Sequence, residues 1–67
     1  MVKNNLKQLL REKGLKHNFI AEKIGLEASY FSNIIKGKNI PSVEIALKLE
    51  QILGVPVNEI FKLINDK

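Results

Sequence analysis

Apolar residues recur along this chain at helical spacing in separate blocks, and most blocks are closed by a glycine. Leu6, Leu9 and Leu10 share one side of a helix that starts near Asn5, a good N-cap with Gln8 three residues on, and ends at Gly14. The spacing returns with Ile20, Ala21 and Ile24, predicting a second helix from about His17 to Ile24. Gly25 and Leu26 interrupt it, and Phe31, Ile34 and Ile35 resume it from about Ala28 to Lys36, where Gly37 stops the third helix. After the loop Lys38 to Pro41, Ser42 caps a fourth helix. Val43, Ala46, Leu49 and Leu53 supply its stripe, with Ile45, Leu47 and Ile52 beside it, and Gly54 closes it. A last short helix is expected from Asn58 to Ile64, with Pro56 tolerable at its start because a first-turn proline sacrifices no helical bond. No stretch alternates with the period of two that marks a strand, so the expected fold is all-α, with five short helices.

The window from His17 to Lys36 is the most specific of these patterns. Ala21 is small enough for two helices to touch, Gly25 can take the left-handed conformation that turns the chain sharply, and Leu26 can plug the gap between the helices. That is a helix, a tight turn and a second helix. Neither helix opens on a preferred capping residue: the positions are Lys16 and Glu27, which leaves amide donors for water or a phosphate oxygen.

Composition narrows the chemistry. Sixty-seven residues allow one domain with one small core, and 45% hydrophobic content with only 6% aromatic suits an aliphatic helical bundle. There is no cysteine, His17 is the single histidine, Ser29, Ser32 and Ser42 have no candidate base, and no glycine-rich phosphate loop exists. An enzyme, a metal site and a cofactor are therefore not expected. No apolar run approaches a membrane span or signal-peptide core, so a cytoplasmic protein without membrane association is the expectation. The net charge of +4 is modest, but residues 1–40 carry a net +5 and residues 41–67 a net −1. The positive field lies on the half that holds the two-helix window, as suits a surface facing phosphates.

That window, HNFIAEKIGLEASYFSNIIK, with LKQLLREKGL before it and IIKGKNIPSVEIALKLEQILGVPVNEIF around its end, resembles the Cro/phage-repressor family of lambda-repressor-like, XRE-type helix-turn-helix proteins. The resemblance covers nearly the whole chain. It implies a single lambda-repressor-like domain over 1–67, the helix-turn-helix at about 17–36, and a dimerisation segment at about 55–65. It also implies a transcriptional regulator, a repressor that binds a palindromic operator in double-stranded DNA as a homodimer, with no small-molecule ligand evident.

Carried over position by position, the resemblance implies that Glu27, Ala28, Ser29, Ser32 and Asn33 reach base edges. Lys16, His17, Asn18, Tyr30, Lys36, Lys38 and Asn39 would meet phosphates. Several of these have bland readings too: His17 as an exposed first-turn residue, Lys36 as a partner of the helix dipole, and Tyr30 as half-buried packing or an interface anchor. Val55, Pro56, Val57, Ile60 and Leu63 would form the dimer interface, since they add apolar surface that a small domain leaves wet, while Phe61 and Ile64 serve the core. The family's ion pair between the first and third helices falls on Leu10 and Ile35 here, so both partners are apolar and no charge is stranded. Glu27 repels phosphates, although it can accept from a cytosine amino group. It supports the alternative, a protein-interaction module of the same fold such as an antirepressor or antitoxin-like partner.

Overall fold

The computed structural model describes residues 2–64; Met1 lies outside the described residues, as do Asn65, where the expected dimerisation segment ends, Asp66 and Lys67. The elements run β1 (Val2–Asn4), α1 (Leu6–Lys13), α2 (His17–Ile24), α3 (Ala28–Ile35), α4 (Val43–Leu53), α5 (Val57–Ile60) and β2 (Phe61–Leu63). Leu6, Leu10, Ile20, Ala21, Ile24, Phe31, Ile34, Leu49, Leu53 and Ile60 form one core to which every helix contributes. Leu9, Leu15, Leu26, Ile35, Ile45, Ile52, Val55 and Phe61 close over it, and no polar or charged residue is buried among the described residues. Leu10 is buried and Ile35 packs on the core, so the two apolar residues at the family's ion-pair positions are accommodated as packing.

Five helices are present, and the fold is mostly helical, but a two-stranded ribbon joins the two ends of the chain. β1 and β2 pair antiparallel with Val2 opposite Leu63, Lys3 opposite Lys62 and Asn4 opposite Phe61. The expected last helix over Asn58 to Ile64 is correspondingly shorter. It ends at Ile60, because Phe61 turns extended (φ −118°, ψ 133°) and its backbone pairs with β1 instead of continuing the helix. Three-residue strands are too short to show an alternation, and their partner lies at the other end of the chain.

Local chemistry sets the remaining boundaries. Asn5 occupies the N-cap position of α1, but its side chain does not cap and Gln8 does not reach back. The Asn4 carboxamide oxygen accepts from the Leu6 N–H at 3.0 Å instead, while the Asn5 amide donates to the Glu59 carbonyl at 2.9 Å and Gln8 donates to Glu12 at 3.0 Å. Ser42 caps α4 as expected, its hydroxyl accepting from the Ile45 N–H at 3.3 Å. Glu50 reaches out of α4 to accept from the Val57 N–H at 3.0 Å, which ties α5 to its neighbour. Val43 departs from its expected place in the α4 stripe: it is 76% exposed, and the core-facing side is Ile45, Leu49, Ile52 and Leu53. At 100° per residue those four lie together, and Val43 and Leu47 fall on the other side.

Candidate nucleic-acid interface

α2 and α3 are joined by the turn that the sequence predicts. Gly25 is left-handed at φ 80°, its N–H donates to the Glu22 carbonyl at 3.2 Å, and the Leu26 N–H donates to the Ala21 carbonyl at 2.9 Å. These two bonds close a Schellman-type end, and Leu26 folds back onto the core as the plug. Burial of Phe31 and Ile34 then fixes the rotation of α3. Ala28 and Ser29 are left exposed, and Ser32 and Asn33 half-buried, along the opposite side.

The same packing places the flanking groups. Lys16 and Glu27 both hold the extended N-cap conformation and neither side chain caps, so the first amides of α2 and α3 have no side-chain partner. Lys16, His17, Asn18 and Glu27 are exposed. The His17 and Phe31 rings meet in a T-shaped contact, 6.4 Å between centroids at 83°, so His17 packs across the two helices while remaining exposed. Tyr30 is exposed on the flank of α3.

At the other end of α3 the Asn33 carbonyl accepts from the Lys38 N–H at 2.9 Å and from the Asn39 N–H at 3.3 Å. Gly37, at φ 83°, makes that return possible. Lys36 and Lys38 are exposed and Asn39 is half-buried. The short polar side of α3 is thus followed by Lys36 and Lys38 just beyond its end, and Lys16 stands exposed at the start of α2. Apart from Glu27 at its start, this side of α3 is polar without charge, a surface whose chemistry suits base edges, while the lysines suit phosphates. One contact was not foreseen: the Lys23 ammonium lies 5.3 Å from the Phe19 ring centroid on the outer side of α2, a pairing that i, i+4 spacing could have suggested.

The residues expected at a dimer interface divide. Pro56 is exposed, Val57 is half-buried and Leu63 is 75% exposed, so these three are available. Val55 is half-buried and packs on the core. Ile60 is corrected: it is fully buried in its own domain, because α5 turns that residue inward before the chain enters β2. Further exposed apolar surface lies beside these residues. Ile40, Val43 and Leu47 are exposed, and Val2, Ile40, Pro41, Val43, Val57 and Phe61 line a shallow apolar groove. Among the described residues no helix is long and apolar enough to cross a membrane.

A helical domain whose second and third helices form this turn, with a polar face between lysines, has the form of a helix-turn-helix DNA-binding protein. The model of a helix-turn-helix family matches residues 6–60, and the chain belongs to this XRE-type family. Over 66 residues it is 32% identical to an uncharacterized HTH-type transcriptional regulator of Methanocaldococcus jannaschii, covering 98% of this chain and all of that protein. Its fold is also similar to a chain of the SinR protein/SinI protein complex, with a TM-score of 0.69 and 36% identity. That match covers 78% of this chain and 52% of the other, so the chain spans about half the length of this structural relative.

Proposed function

We propose that the protein is a sequence-specific repressor that binds a palindromic operator as a homodimer. The observation that carries this reading is the side of α3 opposite Phe31 and Ile34. Ala28, Ser29, Ser32 and Asn33 lie along it, with Lys36 and Lys38 just beyond the end of the helix and Lys16 exposed at the start of α2. In this reading α3 enters the major groove, and Asn33 pairs donor and acceptor with an adenine edge while Ala28 touches a thymine methyl. The uncapped start of α2 and the turn after α3 grip the backbone on either side. Glu27, at the entry to α3, accepts from a cytosine amino group. The protein needs no cofactor for this and acts where the DNA lies, in the cytoplasm.

Dimerisation is supported by the apolar surface around Ile40, Val43, Leu47, Val57 and Leu63, which a small domain leaves in water. Two such copies related by a dyad would present two α3 helices to successive major grooves. Selection from random duplexes tests the proposal. A palindrome with A·T pairs at the centre of each half-site should be enriched, with binding that falls steeply as salt rises. Absence of any enriched sequence, with affinity indifferent to salt, would overturn it.

The same apolar surface favours a second reading, a module that binds another protein, and the SinR structural relative is itself held in a complex with SinI. A salt-insensitive protein partner in place of a selected duplex would support that reading.

A further inference from the structure

Side chains alternate across a strand, so Val2, Asn4, Phe61 and Leu63 share one face of the terminal ribbon while Lys3 and Lys62 share the other. The first face is tied to the domain. The Asn4 amide donates to the Ile34 carbonyl at 2.9 Å, and Phe61 packs on the core. The second face carries two exposed ammonium side chains directly opposite each other. Like charges so placed oppose pairing, and among the described residues no carboxylate forms an ion pair with either, the ion pair found there joining Lys48 to Glu44 on α4.

The ribbon's position supplies a reason for that arrangement. Val2, Lys3 and Asn4 line a groove together with Ile35, Lys36 and Gly37, so β1 runs beside the turn that closes α3 and leads to Lys38. Lys3 and Lys36 thus line one groove with no acidic residue in its lining, Lys62 stands opposite Lys3 on the ribbon, and Lys38 follows two residues after Lys36. We propose that the terminal ribbon is a second DNA-backbone contact, with Lys3 and Lys62 holding phosphates that flank those met by Lys36 and Lys38. A duplex offers closely and regularly spaced phosphates along its axis, which a row of lysines beside the reading helix can follow. The inference rests on the DNA-binding reading above.

The test is titration of the full chain against a long labelled duplex at increasing potassium chloride. The Lys3→Ala/Lys62→Ala variant should lower the log–log salt slope by about two units, on unrelated duplexes as on the selected one. Lys3→Arg/Lys62→Arg should keep the wild-type slope. Lys62→Glu places opposite charges across the ribbon, so it should raise the melting temperature while weakening DNA binding, whereas a merely structural role would move both in the same direction. An unchanged slope in the double alanine variant, with Lys38→Ala still lowering it, overturns the ribbon contact and leaves the helix-turn-helix reading intact. A wild-type protein with no salt-dependent binding overturns both.

Discussion

Replacing Asn33 by Ala separates specificity from stability, because this residue serves the fold through its backbone. Its carbonyl holds the Lys38 and Asn39 amides, and an alanine there keeps both bonds. Its side chain makes no hydrogen bond to the protein among the described residues, and it is half-buried on the side of α3 away from Phe31 and Ile34. Alanine is also the better helix former, by up to about 0.7 kcal/mol. The folded state should thus lose nothing, and thermal denaturation should give a melting temperature equal to or above that of the wild type. Base reading should suffer instead. A bidentate pair with adenine discriminates by about 1–3 kcal/mol, which is roughly a 5- to 150-fold loss of affinity on the selected operator. Fluorescence anisotropy on that operator and on an unrelated duplex of equal length would measure both. An equal loss on the two duplexes would refute the reasoning, since Asn33 would then hold the backbone, and specificity would have to come from Glu27 or from the deformability of the DNA.

The remaining expectations concern the flanks of the site and the core beneath it. Lys38→Ala should weaken binding to all duplexes alike and reduce the salt slope by about one unit, whereas a loss confined to one sequence would mean that Lys38 reads a base. Ile60→Ala should cost about 2–5 kcal/mol in urea denaturation, because it opens a cavity in the core, while Leu63→Glu should shift sedimentation from dimer to monomer and lose only the concentration-dependent part of the stability that dimerisation adds. A wild-type monomer at high concentration and on DNA would refute the dimer. Gly25→Ala should destabilise the domain by about 1–2 kcal/mol although nothing lies within contact of the new methyl group, since the penalty comes from the left-handed backbone alone. Unaltered stability would show that the turn relaxes to another conformation.

The helix-turn-helix was legible in the sequence because its determinants are local. Ala21, Gly25 and Leu26 act within one turn of one another, and Phe31 and Ile34 set the rotation of α3, so residue type and spacing were sufficient to anticipate the bounds of α2 and nearly those of α3. The Ser42 cap belongs to the same class, a side chain bonding three residues ahead. What the tertiary structure decided is the outcome of competition between distant partners. Asn5 and Gln8 have the local chemistry of a capping box, yet Asn5 is drawn to Glu59 at the far end of the chain and Asn4 takes over the cap. Ile60 and Leu63 carry equal apolar promise in sequence, and only the switch from α5 to β2 sends the first inward and the second into water. Val43 fits a helical stripe as well as Leu49 does, but the angle at which α4 meets the core exposes it. Periodicity fixes which residues share a face; which face is buried, and where a backbone leaves its helix to pair, depend on surfaces brought together only when the chain has folded.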